Sequence, residues 1–304
     1  MKEASLSKII KEVIRIFNER LLHLIHCPQL GSAAIRNLLK YDPSLSNLYS
    51  FPSSELQQLL KLNNSCMRKF YHDFQRIDIN KMVEKYHDCG ISIITFRDQE
   101  YPEMLKEIYD PPLALFTIGD HLLLKKQSIA VVGARKAGTY AKKAIDLLLE
   151  PLLESGFAIV SGLAKGTDAF AHEQTIRLGG KTIGVLGGGF FHLYPQENKG
   201  LAEKMKKDHL IVSEYPPIWR PQKWHFPQRN RIISGLAKGT VIVQAKSRSG
   251  SLITADFALE EGREVFAVPG PIDAPLSEGA NRLIQQGAKL VTSGHDILEE
   301  LYVE

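Results

Sequence analysis

Phe157-Ala158-Ile159-Val160-Ser161-Gly162-Leu163-Ala164-Lys165-Gly166-Thr167-Asp168 is the stretch that decides the fold. Its opening run is apolar without alternation and too short for a helix, which suits a strand covered on both faces. Gly162 breaks the run, and Asp168 stands where a helix start takes a cap, with a helix expected over 167–178. The same texture recurs on either side. Short apolar runs at Ser128–Gly133, Lys181–Gly187, Leu210–Glu214, Thr240–Ala245, Glu264–Pro269 and Ala288–Thr292 alternate with helical stretches near 138–154, 197–207, 229–237, 252–262 and 277–286. Strands alternating with helices predict a doubly wound, mostly parallel α/β sheet, with its core at about 125–304.

Upstream of this core, 91–127 carries Ile91–Phe96, Tyr101-Pro102 and Asp110-Pro111-Pro112, and reads as an extension of the sheet. The first 80 residues differ. Leu6, Ile9, Ile10, Val13, Ile14 and Phe17 recur at helical spacing, Ser32 is placed to cap a helix over Ala33–Leu39, and Leu45, Leu48, Leu56, Leu59, Leu60 and Leu62 supply further short helices. The expected division is a small all-helical domain at 1–80 and an α/β domain at 81–304. One heptapeptide, Ser-Gly-Leu-Ala-Lys-Gly-Thr, occurs at both 161–167 and 234–240. The first copy opens a helix and the second opens a strand, so no duplicated unit is inferred.

Composition bounds the function. Of 304 residues, 44% are hydrophobic and 24% charged, as in ordinary globular proteins. No apolar run reaches the roughly 20 residues of a membrane span, and the N-terminus lacks the apolar core of a signal peptide. Cys27, Cys66 and Cys89 are odd in number and form no CxxC pair, which argues against disulfides and a cysteine zinc site and places the chain in the cytoplasm. Charge is uneven: residues 181–250 carry 12 Lys and Arg against 4 acids, and 251–304 carry 3 against 10. The first segment suits an anionic ligand.

Four glycine-containing loops follow expected strands: Gly133–Tyr140 with Arg135 and Lys136, Ser161–Asp168, Gly187-Gly188-Gly189, and Ser247–Ser251 with Ser249 and Gly250. At the carboxyl ends of such strands, helix N-termini and side-chain-free loops receive anions. None is a dinucleotide or Walker fingerprint: the first lacks the middle glycine, and Lys165 precedes its last glycine. The segment Trp219–Arg231 interleaves aromatic rings with cations, the combination that stacks bases and holds a phosphate backbone. Arg229 and Arg231 are expected to open a helix there, beside its free N–H groups. Asp168, His172, Glu214, Asp256 and Glu260 form no catalytic pattern, and no GxSxG or HExxH occurs. A helix histidine hydrogen-bonded to its surroundings is the simplest reading of His172. No catalytic residue, metal or cofactor is expected.

Val131-Val132-Gly133-Ala134-Arg135, the Ser161–Asp168 loop with Ala171-His172, and Val185–Gly189 with Tyr194-Pro195 and Asn198 resemble the DNA-processing protein A (DprA/Smf) family in order and spacing. So do Ser213–Pro216, Phe226–Gly235, Ser249–Ala255, Val268-Pro269-Gly270 and Gly279-Ala280-Asn281, so that the resemblance covers about 95–295. It implies an extended Rossmann-like domain behind a small sterile-alpha-motif-like helical domain. It also implies a non-enzymatic homodimer that binds single-stranded DNA during natural transformation, protects it and helps load RecA recombinase. By motif position, Arg135, Gly187–Gly189, Asn198 and the Arg229-Asn230-Arg231 cluster line the DNA groove. Two positions depart from the pattern: Gln196 stands where several members have a lysine after Tyr-Pro, with Lys199 as the nearest substitute, and Gln244 ends a strand that often ends in an acid. A C-terminal winged-helix domain, found in some members, is not expected here.

Two other functions compete with this one. A Rossmann-like nucleotide phosphoribohydrolase would need a glutamate in its PGGxGTxxE-like loop, and Ser249–Thr254 has none. A protein adaptor would use the helical domain and the acidic C-terminal part for contacts, with DNA secondary.

Overall fold

The computed structural model describes residues 2–302, with side chains from 12 onward. The chain divides into two compact units, Met1–Gly90 and Ile91–Glu304.

The first unit is helical: α1 (Lys2–Ile25), α2 (Ser32–Tyr41), α3 (Ser53–Leu60), α4 (Asn64–Arg76) and α5 (Ile79–Asp88). Leu6, Ile9 and Ile10 of the expected α1 stripe lie outside the described side chains. Further along α1, Phe17, Leu21, Leu22 and Leu24 are buried, whereas Val13 is 60% exposed. Ser32 is the first helical residue and not the cap: Gly31 holds that position without a side-chain hydrogen bond. By contrast Asn63 caps α4 and Asp78 caps α5, each accepting a backbone N–H from the first turn. Two histidines are built into this core. His26 bonds the Leu22 carbonyl (2.7 Å) and the Tyr86 hydroxyl (2.9 Å), and His23 bonds the Phe74 carbonyl (2.8 Å) and the Tyr49 hydroxyl (3.0 Å). Burial lowers both imidazoles, His26 to about 4.

The second unit runs β1 (Ser92–Thr95), α6 (Glu103–Lys106), β2 (Ala114–Gly119), β3 (Ser128–Val132), α7 (Thr139–Glu154), β4 (Ala158–Ser161) and α8 (Thr167–Arg177). It continues β5 (Thr182–Leu186), α9 (Lys199–Asp208), β6 (Leu210–Ser213), α10 (His225–Gly235), β7 (Gly239–Ile242), α11 (Gly250–Glu260), β8 (Glu264–Ala267), α12 (Glu278–Gln285), β9 (Lys289–Leu290) and α13 (Gly294–Tyr302). Among the described residues these strands form one sheet in the order β1-β2-β6-β5-β4-β3-β7-β8-β9. Every pairing from β6 to β9 is parallel, and β2 joins β6 and β1 antiparallel. The strand expected at 91–96 is β1, but β2 has no counterpart in the sequence reading. The mostly parallel α/β class holds.

Strands β3–β6 are wholly buried, as strands with helices on both faces must be. One face packs Ile108, Ile232, Ile233, Leu236 and Leu283 on Val132, Val160, Val185 and Ile242; the other packs Ile145, Leu148, Leu149 and Leu152 of α7 on Ile129, Val131, Ile159 and Val241. The two copies of the repeated heptapeptide diverge as expected: one links β4 to α8, and the other closes α10 and opens β7.

This order sets the location of the site. From β3 the chain winds outward through β4, β5 and β6, then returns to place β7 on the other side of β3. At such a reversal the connections after the two neighbouring strands leave on opposite faces, opening a crevice at their carboxyl ends.

Candidate nucleic-acid interface

A cleft of about 850 Å³ occupies that crevice, lined by residues that follow β3 and β7 and by α10. Val132 to Lys136 form one side of it, and Lys246, Arg248 and Ser249–Ser251 the other. Pro221, Lys223, Tyr194 and Phe226 also line it, and Ile233, Ile253 and Leu276 add apolar surface.

The cationic side is held by the loop after β4. Its Thr167 N–H donates to the Ala134 carbonyl (3.2 Å), and Gly166 has a φ of +73°. A Cβ at Gly166 would stand 2.6 Å from the Arg135 carbonyl oxygen, so only glycine lets the two loops meet here. Arg135 and Lys136 are thereby presented to solvent on a fixed backbone. The Arg135 guanidinium lies 6.0 Å from the Phe226 ring centre, and Tyr194 meets that ring edge-on at 5.7 Å.

Beneath them Asp168 and Arg229 form a buried electrostatic pair. Asp168 accepts the Gly162 N–H (3.1 Å) and takes a longer contact from the Ala164 N–H (3.4 Å). Burial pushes its carboxyl above the ordinary value, opposed by the Arg229 charge and by these N–H groups. Arg229 is 5% exposed and donates through Nη1 to the Gly162 and Val185 carbonyls. Burial lowers its guanidinium, opposed by Asp168. A Cβ at Gly162 would lie 2.6 Å from Arg229 Nη2, so that glycine makes room for the guanidinium.

The helix start predicted near 229 lies four residues earlier, at His225. Pro227 is accommodated in the first turn, where its missing N–H has no helical partner to lose. Arg229 and Arg231 therefore sit within the helix, not beside its free N–H groups. Arg231 is 6% exposed and its guanidinium forks onto Glu214 at 2.7 and 3.0 Å, away from the cleft. Burial alone would lower it, but Glu214 and then Asp110 raise it. Asn230 does reach the cleft wall, where its amide donates to the Gly250 carbonyl (3.1 Å) and ties α10 to the start of α11. Ser249 caps α11 by accepting the Ser251 N–H (3.3 Å).

The remaining expected residues stand just outside. Gly187 and Gly188 line a small niche that shares Tyr194, Pro221 and Phe226 with the cleft. Gly189 donates its N–H to the Trp219 carbonyl. Asn198 braces the 162–165 loop through the Leu163 and Ala164 carbonyls (both 2.9 Å), and Lys199 is exposed at the start of α9. Lys223, Tyr194, Phe226 and Arg248, which the sequence offers only within longer motifs, also line the cleft, as does Lys246, which no motif includes.

The cleft's charge is one-sided. Asp168 is the one acid among the lining residues, and Arg229 answers it. Arg135 is only a lesser partner of Asp168 than Arg229 is, and Lys136, Lys223, Lys246 and Arg248 have no lining carboxylate of their own. No cluster of three His, Cys, Asp or Glu able to hold a metal occurs among the described residues. His172 is fully buried, held near 3 by burial first, and bonds Thr182 Oγ1 at 2.6 Å, so it is a neutral core histidine.

Residues 92–302 match the model of the DNA recombination-mediator protein A family. The chain belongs to that family. The DNA processing protein DprA of Bacillus subtilis is 47% identical over 266 residues, covering 86% of this chain and 88% of the relative. The crystal structure of DNA processing protein A from Streptococcus pneumoniae superposes with a TM-score of 0.83 at 39% identity, over 94% of this chain and 99% of that one. The Helicobacter pylori DNA processing protein A, whose structure concerns its single-stranded DNA binding mode, superposes with a TM-score of 0.63 at 29% identity, over 69% of this chain and 95% of that one. No helix among the described residues is long and apolar enough to cross a membrane.

Proposed function

We propose that the cleft binds single-stranded DNA and that this chain is a recombination mediator, not an enzyme. The observation that carries the reading is the group of five cations around an apolar, aromatic-lined cleft whose single acid is already answered by Arg229. Phosphates are recognised by such cations and by the N-terminus of α11, and unpaired bases by Phe226 and Tyr194. Duplex DNA hides its bases from a cleft of this kind. In this role the protein acts in the cytoplasm as a homodimer during natural transformation, shields incoming single strands and helps RecA recombinase onto them. Membership of the family and the Helicobacter pylori relative support the DNA-binding part of that role.

The test is fluorescence anisotropy with a labelled oligo-dT of about 20 nucleotides at low salt. Saturable binding that duplex DNA and nucleoside monophosphates displace poorly supports the reading. Displacement by a monophosphate would move a nucleotide-hydrolysing enzyme to the front.

A further inference from the structure

The loop between β6 and α10 holds features that the cleft does not use. Glu214 opens the loop and is taken up by the Arg231 guanidinium, and no further Asp or Glu occurs before Asp256. Ile218, Arg220, Lys223 and Trp224 are exposed on it, and Trp224 leaves 56% of its surface open. An indole in that state forgoes burial worth more than most side chains have to offer, so its position calls for an explanation.

The indole is not loosely placed. It meets His225 edge-on at 4.1 Å, and His225 stacks on Tyr215 at 3.8 Å with an interplanar angle of 16°. His225 and Tyr215 are 2% and 5% exposed, so the open ring stands on a closed base. The backbone is tied down as well. Gly189 N–H donates to the Trp219 carbonyl (2.8 Å), Phe191 N–H to the Pro217 carbonyl (3.0 Å), and His225 N–H to the Gln222 carbonyl (3.0 Å). The loop is continuous with the cleft, because Pro221, Gln222 and Lys223 line the cleft while Trp224 does not.

We propose that Trp224 is a nucleobase-stacking platform outside the cleft, over which the strand leaves, with Arg220 taking a phosphate beside it. The inference rests on the single-stranded DNA reading of the cleft. Its chemistry is that of sequence-tolerant binding: every base offers a π-face, an indole fixed in advance loses little entropy on stacking, and the flanking cation holds the backbone. The loop's one acid, Glu214, is paired with Arg231, so little repulsion is left to turn a polyanion away.

The protein has two tryptophans, so the test is direct. In a Trp219→Phe background Trp224 alone emits, and titration with dT20 should quench it in step with the anisotropy change. Trp224→Ala should weaken dT20 binding roughly 5- to 100-fold, and Trp224→Phe should recover most of that loss. Should Trp219→Phe fail to fold, the difference between wild type and Trp224→Phe in the quench gives the same information. Unchanged emission during saturable binding, with Trp224→Ala binding as tightly as wild type, overturns the platform and leaves the cleft reading intact. If wild type itself fails to bind dT20, the cleft reading falls and the platform falls with it.

Discussion

Replacing Arg229 by methionine separates a residue that builds the cleft from one that touches its ligand. The side chain is 5% exposed, and its Nη1 donates to the Gly162 and Val185 carbonyls. Removing it takes away charge-assisted hydrogen bonds worth about 1.5–3 kcal/mol each. It also leaves Asp168 buried without its cation, and breaking a buried pair from one side costs about 3–5 kcal/mol. The two accounts overlap, so about 4 kcal/mol is the expected loss. For a unit the size of residues 91–304, each kcal/mol lowers the melting temperature by about 2–4 °C, which gives a drop of about 8–16 °C. Thermal unfolding followed by circular dichroism reads it. Arg135→Ala is the companion: it is exposed, so it should leave melting within about 2 °C of wild type and weaken oligo-dT binding. If Arg229→Met melts with wild type yet loses DNA, the guanidinium is a DNA ligand and the structural assignment is wrong.

Two pH effects of opposite sign are expected. His26 falls to about 4 in the folded protein against about 6.5 unfolded, so the unfolded chain takes the proton first and stability drops as pH falls from 6.5 to 4, by about 3 kcal/mol; NMR should find this imidazole titrating near 4. Glu261, which accepts the Ser234 hydroxyl (3.0 Å), is raised by burial to about 7. The folded carboxyl binds its proton more tightly than the unfolded one, so stability is lost as pH rises from about 4.5 to 7, and Glu261→Gln should be stabilising at pH 8, by about 1–2 kcal/mol after allowance for solvent, and neutral at pH 4.5 in urea unfolding. Gly166→Ala should cost about 1–3 kcal/mol and displace the Arg135 loop, so that DNA affinity and melting temperature fall together.

The parallel sheet was legible because its strands are short apolar runs between helical stretches, and even the repeated heptapeptide was placed correctly by what flanks each copy. Within 91–127, read as an extension of the sheet, β2 was not resolved as a strand: Ala114–Gly119 directly follows Asp110-Pro111-Pro112, and its antiparallel pairing with β6 is non-local and leaves no periodic trace. The error at α10 had a visible remedy. Arg229 is followed by Ile232, Ile233 and Leu236 at helical intervals, and a residue on that stripe faces inward. Starting the helix at 229 set both arginines beside its free N–H groups, whereas the helix that begins at His225 turns Arg231 onto Glu214 and buries Arg229 in the cleft wall. Arg248 was legible only as part of the Ser247–Ser251 loop and Lys246 not at all, because the reversal of strand order around β3 that brings them to the cleft with Arg135 belongs to topology.

Five cations facing the phosphates of a single strand make its binding steeply dependent on salt. The measurement is oligo-dT affinity between about 50 and 200 mM salt. With about 0.7 of a counterion released per phosphate contact, five contacts predict a slope near −3.5 and a loss of roughly 100-fold across that range, and Arg135→Ala should bring the slope to about −2.8. A slope near zero, or one that Arg135→Ala leaves unchanged, would mean that these cations do not hold the phosphates.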